Sequence, residues 1–135
     1  MLSKVAVLVV DDDSKTLDLV SDMLRSSGYI PHAAASGKEA LRLLSEVRMD
    51  AVLLDLVMPE MDGFEVLRKI KEQPALRDVP VFVLTAKDLS TAEVELLTHE
   101  ARALFRKDVP WQNDLLAQVG KAVGKIKLAR SAGQS

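Results

Sequence analysis

The chain carries short apolar runs with no helical stripe, each ending in a polar or charged residue. Val5 to Val10 is rich in β-branched residues and ends at Asp11-Asp12-Asp13. Ala51 to Leu54 ends at Asp55, and Val81 to Leu84, entered from Pro80, closes at Thr85-Ala86. Runs of this kind predict strands buried on both faces. Two weaker strands join them. Tyr29 to Ala35 is pushed toward the sheet edge by Pro31, which has no N–H to give, and Ala103 to Arg106 reaches Lys107.

Between the strands, apolar positions recur at helical spacing. Asp13 or Ser14 can cap a first helix with Leu17, Val20, Met23 and Leu24 on one side, stopped by Gly28. Ser36-Gly37 opens a second, with Ala40, Leu41, Leu44 and Val47 inward, and Phe64 to Gln73 forms a third around Phe64, Leu67 and Ile70. A fourth, Asp88 to His99, has a narrower stripe of Leu89, Ala92, Leu96 and Leu97. The last runs from Trp111 to about Leu128 through Leu115, Leu116, Val119, Val123 and Ile126. Alternating strands and helices predict an α/β fold, a parallel sheet with helices on both faces. Right-handed crossovers then put every strand's carboxyl end on one edge. One domain is expected over residues 1–127, with 128–135 as helix end and frayed tail.

Composition narrows the function classes. The 135 residues suit one domain, and 48% hydrophobic content can fill its core. A net charge of −2 gives no strong field for nucleic acid or an anionic membrane. The chain has no cysteine, which excludes disulfides, thiolate nucleophiles and cysteine zinc sites. No apolar run approaches the roughly 18 residues of a membrane helix. Met1 to Lys4 pass straight into a strand, leaving no room for a signal peptide. The expectation is a cytoplasmic protein that engages neither nucleic acid nor membrane.

Topology brings Asp11, Asp12, Asp55, Thr85 and Lys107 to one sheet edge from four strands, where open α/β sheets bind their ligands. Like charges ~4 Å apart repel by roughly 4 kcal/mol at an effective dielectric of 20, so the carboxylates must protonate or meet a cation. An all-oxygen set with few protein ligands suits Mg²⁺. Cation, lysine and hydroxyl together favour a transferring phosphoryl group, and Asp55, the carboxylate on the central strand, is its natural nucleophile. Asp13 reads as a helix cap. Met58 and Met61 read as loop packing, and Lys121, Lys125, Lys127 and Arg130 as a solvated helix face.

Val-Leu-Val-Val-Asp-Asp at 7–12, Asp-Leu-Val-Met-Pro-Glu-Met-Asp-Gly at 55–63, Val-Leu-Thr-Ala at 83–86 and Lys107 together resemble a response-regulator receiver domain of two-component signalling. The resemblance implies a flavodoxin-like, doubly wound five-stranded sheet of order 2-1-3-4-5 with five helices. It implies Asp55 as phosphoacceptor, and Mg²⁺ held by Asp12, Asp55 and the carbonyl of Val57, with Asp11 acting largely through water. Thr85 matches the switch hydroxyl and Lys107 the lysine that pairs with the phosphoryl group. The implied partners are a histidine kinase or histidine phosphotransfer protein as donor and a downstream protein as target. The resemblance implies no turnover beyond self-phosphorylation and slow autodephosphorylation.

Three positions depart from the family's pattern: Asp108 where proline usually follows the lysine, Leu104 where an aromatic switch residue usually sits, and Glu100 where glycine often precedes the fifth strand. Phe105 lies one place past the aromatic position, and one step flips a strand side chain to the opposite face. Two other readings stand beside the first. One is a pseudo-receiver that binds partners without being phosphorylated. The other is a haloacid-dehalogenase-like phosphatase using Asp11 and Asp13 as its acidic pair.

Overall fold

The computed structural model describes residues 4–133, and side chains as far as Gly124. Five strands, β1 (Ala6–Val10), β2 (Ile30–Ala34), β3 (Ala51–Leu54), β4 (Val81–Thr85) and β5 (Ala103–Arg106), alternate with five helices, α1 (Ser14–Ser26), α2 (Gly37–Glu46), α3 (Gly63–Glu72), α4 (Thr91–Glu100) and α5 (Gln112–Gly133). All pairings are parallel and the order is β2-β1-β3-β4-β5, the arrangement expected. Proline-bearing β2 takes an edge, and the apolar runs β1, β3 and β4 take the centre.

Alternation along each strand divides the core in two. Leu8, Val10, Val52, Leu54, Val81 and Val83 pack with Ala40, Leu44, Val66, Leu67, Ile70 and Leu97 of α2, α3 and α4. Val7, Val9, Leu53, Phe82 and Leu84 face α1 and α5 through Val20, Leu24, Leu115 and Val119. Leu104 joins the first cluster and Phe105 the second, so the two do lie on opposite faces of β5.

Two elements differ from expectation. Helix α4 starts at Thr91 rather than Asp88, because Ser90 caps it in a capping box with Glu93. Its inward stripe reduces to Leu97: Ala92 is exposed and Leu96 is 47% exposed. Helix α5 continues to Gly133, past the expected end near Leu128, since Leu128, Ala129 and Arg130 are good helix formers with no proline to stop them. The expected inward position of Ile126 lies outside the described side chains, as do Lys125, Lys127 and Arg130. Within α5, a Cβ on Gly124 would meet nothing within 4 Å among the described residues. Gly124→Ala is therefore expected to stabilise the protein by about 0.5–1 kcal/mol, read as a higher urea midpoint.

Candidate functional site

The carboxyl edge of the sheet is built by ladder bonds that run one residue past the strands. The Asp11 N–H donates to Ala34 O (3.1 Å), the Asp55 N–H to Val10 O (2.9 Å) and the Lys107 N–H to Thr85 O (2.9 Å). Backbone position is thus fixed by β1, β3 and β5 themselves, and the side chains that follow the strands converge. Lys107 Nζ donates to Asp11 Oδ2 at 2.6 Å and to Asp55 Oδ2 at 3.3 Å. One carboxylate oxygen each from Asp11, Asp12 and Asp55 lie within 4.8 Å of one another. Asp11 and Asp55 are buried, whereas Asp12 is exposed at the mouth.

The three aspartates after β1 divide their work. Asp11 Oδ1 accepts the Asp13 N–H (2.9 Å), which turns its other oxygen toward Lys107. Asp13 is the N-cap of α1, its carboxylate accepting from the Lys15 N–H and, at 2.8 Å, from the Thr16 hydroxyl. That hydroxyl bond first, and the amide bonds after it, hold the Asp13 carboxyl below the usual range. A residue committed in this way to a helix end is outside the site, which removes one half of the acidic pair that the phosphatase alternative requires.

Burial is the largest influence on Asp11 and pushes its carboxyl up; the Lys107 and Asp13 hydrogen bonds pull it back, and Asp55 pushes it up again, for a net rise. Burial alone would lower Lys107. Its hydrogen bond to Asp11 and the charges of Asp55 and Asp11 outweigh that, so the ammonium is held above its ordinary value. One ammonium among three carboxylates leaves the pocket short of positive charge. All-carboxylate donors with this deficit fit a hard divalent cation such as Mg²⁺. In chelator, Asp55→Asn is accordingly expected to melt higher than wild type, by roughly 3–5 °C for each 1 kcal/mol of repulsion relieved, with the gap closing as Mg²⁺ is added. A lower melting point in chelator would show that the three carboxylates do not strain one another.

The loop after β3 fixes the other side of Asp55. Its Oδ1 accepts the N–H of Leu56 (2.7 Å) and of Val57 (3.3 Å). Leu56 and Met58 are buried in the core beneath the loop, and Met61 is partly buried against the same cluster. Val57 is 54% exposed, and it meets Asp55 through its backbone N–H. Gly63 closes the loop, its N–H donating to Leu56 O (3.0 Å), while Asp62 caps α3.

Thr85 is fully buried at the end of β4, beside rather than inside the hydrogen-bonded set. Its hydroxyl oxygen accepts the Lys87 N–H at 3.1 Å. Arg106, its partner across the ladder, pairs with Asp88 and Asp108. The residues not singled out from sequence are Lys87 and Glu93, whose ion pair (3.1 Å) closes the loop after β4. Ser90-x-x-Glu93, a capping-box pattern, was the available signal.

The family model for the response regulator receiver domain matches residues 7–119. The chain belongs to the response-regulator receiver family. The receiver resembles the two-component response regulator ORR5 of Oryza sativa subsp. japonica, 39% identical over 104 residues, which are 76% of this chain and 78% of that protein. The chemotaxis protein CheY4 of Vibrio cholerae superposes with a TM-score of 0.79 at 28% identity, covering 89% of this chain and 99% of that one. The N-terminal domain of a response regulator receiver protein from Methanoculleus marisnigri superposes at 0.72 with 38% identity, covering 88% of this chain and 96% of that one. Receiver domains bind Mg²⁺ in an acidic pocket and interact with histidine kinases and downstream effectors; this receiver carries the acidic cluster. Among its described residues no helix is long and apolar enough to cross a membrane.

Proposed function

We propose that this receiver, residues 1–127 with 128–135 as an appended helix end and tail, accepts a phosphoryl group on Asp55 from a histidine kinase or histidine phosphotransfer protein in the cytoplasm. It then switches a protein-binding face. The observation that carries this reading is Lys107 Nζ bridging Asp11 and Asp55 beside an all-oxygen cluster. Asp12, Asp55 and the Val57 carbonyl would hold Mg²⁺, with Asp11 acting through water. A bound Mg²⁺ supplies neutralising charge to phosphoryl oxygens.

Asp55 has one oxygen fixed by two amides and the other facing Lys107, so Oδ2 is the nucleophile. Oδ2 attacks phosphorus, the P–N bond of the donor phosphohistidine breaks, and its nitrogen keeps the bonding pair. The donor leaves as neutral imidazole, already protonated on its other nitrogen. Lys107 stays a cation and shields the incoming phosphoryl group from Asp11. Water later attacks the phosphorus slowly, releasing phosphate and a proton and restoring the carboxylate.

Incubation with a small phosphodonor and Mg²⁺ is expected to add one phosphoryl group, and chelator to prevent it. No label at saturating donor and Mg²⁺ would favour the pseudo-receiver alternative. The metal assignment has its own check. Asp12→Ala is expected to weaken Mg²⁺ binding by about tenfold or more, the equivalent of ~1.4 kcal/mol, and Asp13→Ala by less than about twofold. Equal losses in a titration would misplace the pocket.

Phosphorylation draws the Thr85 hydroxyl toward the new anion. With Leu104 at the usual aromatic position, displacement of the loop and α4 around Ala86 to Leu97 carries the change to the face formed by α4, β5 and α5.

A further inference from the structure

The segment between Thr85 and α4 is closed by a clasp. Lys87 donates its N–H to Thr85 Oγ1 (3.1 Å) and folds its side chain forward, Nζ standing 3.1 Å from both Glu93 oxygens and 3.3 Å from the Asp88 carbonyl. Glu93 is also the partner of the α4 cap: its Oε1 accepts the Ser90 N–H (2.9 Å), and its own N–H donates to Ser90 Oγ (3.1 Å). One carboxylate therefore ties the helix start to the loop, and the same lysine ties the loop to the buried hydroxyl. Besides the clasp, this end of α4 has Leu89, partly buried against the core just before the cap, and the Arg106–Asp88 ion pair on the loop. Leu97, near its far end, is its only buried side chain, and Val94 stands 40% exposed. The two side chains of the clasp are 35% and 29% exposed, against 63% and 76% for the Arg25–Asp22 pair, so solvent screens the clasp less.

We propose that Lys87 and Glu93 are positioning residues for Thr85, and that their clasp holds α4 in the pose of the unphosphorylated receiver. The inference rests on the function proposed above. With its acceptor side taken by the Lys87 N–H, the Thr85 hydroxyl keeps its own proton free to donate to a phosphoryl oxygen. Movement toward that oxygen withdraws the acceptor from the Lys87 amide, shifts the Lys87 backbone and pulls the ion pair. The start of α4 follows. A contact made only in the resting state opposes the phosphorylated state by its own strength, and removing it moves the equilibrium toward that state.

The test uses beryllofluoride with Mg²⁺ as phosphoryl mimic on the full chain. Lys87→Met keeps the aliphatic stem, and Glu93→Gln keeps an acceptor for the Ser90 cap, so each removes the ion pair without removing the helix cap. Both are expected to bind the mimic about two- to fivefold more tightly than wild type. The double variant is expected to match the singles rather than multiply them, and Lys87→Arg to stay near wild type. Backbone amide signals of residues 91–97 in the two unliganded single variants should move part of the way toward their mimic-bound wild-type positions. A merely structural pair would lower the melting point and leave the mimic affinity alone. Unchanged or weaker affinity, or multiplicative effects in the double variant, overturns the proposal. If wild type binds no beryllofluoride, the phosphoacceptor reading fails, and the clasp is decided by the unliganded spectra: residues 91–97 at wild-type positions in Lys87→Met and Glu93→Gln overturn it, and a common displacement absent from Lys87→Arg sustains it.

Discussion

Asp55→Asn is expected to lose phosphorylation by a small phosphodonor, by about 10³-fold or more in rate. The substitution is nearly isosteric. An amide oxygen can go on accepting the Leu56 and Val57 N–H groups, so the loop after β3 keeps its anchor. The loss is chemical: with the amide oxygen held by the loop, the atom facing Lys107 becomes an NH₂ group, which is no useful nucleophile at neutral pH. Lys107 retains its shorter bond to Asp11 at 2.6 Å, so the ammonium stays in place. Labelling of Asp55→Asn at the wild-type rate would move the acceptor elsewhere, and the fold would then have to bring a second carboxylate to the phosphoryl group.

Gly63→Ala is expected to be the most damaging of the glycine-to-alanine changes among the described glycines. A Cβ at position 63 would stand 2.2 Å from the Asp55 carbonyl oxygen and 2.7 Å from Leu56 Cα, both backbone atoms. Neither can yield without moving the end of β3. Overpacking against backbone is expected to cost about 3 kcal/mol or more, and roughly 10 °C in melting temperature. The damage is at the site as well, because the displaced atoms carry the Asp55 side chain. Mg²⁺ affinity is therefore expected to fall along with the urea midpoint. An unfolding free energy within about 1 kcal/mol of wild type would show that the loop does not pass so close to the α3 start. Gly124→Ala, in open space on α5, is the contrasting control.

Much of this architecture was legible from residue type alone. Strands β1, β3 and β4 are apolar on both faces because helices cover both faces; at any half-solvated position a run without alternation would leave apolar side chains in water. Pro31 marked its strand as an edge. Once the order was known, Asp11, Asp55, Thr85 and Lys107 had to share one end of the sheet, since parallel crossovers allow nothing else. What the sequence hid lies around α4. Leu96 and Ala92 sit at helical spacing from Leu89 yet face outward, because α4 begins three residues later than the apolar pattern implies and meets the core mainly through Leu97. Hydrophobic spacing cannot show which of several weakly apolar faces a short helix buries. The Lys87–Glu93 ion pair was equally hidden: six positions apart across a loop, the two residues meet only because Thr85 and Ser90 turn the chain. Nor does sequence reveal that the Thr85 hydroxyl is already engaged by a backbone amide.

The proposed chemistry turns on which atom takes the phosphoryl group. Wild-type protein treated with a small phosphodonor and Mg²⁺, then trapped and mapped by peptide mass spectrometry, decides it. One phosphoryl group on Asp55, in the segment running from β3 into the loop before α3, is the predicted result. A modification on Asp11, or none at saturating donor, would contradict it.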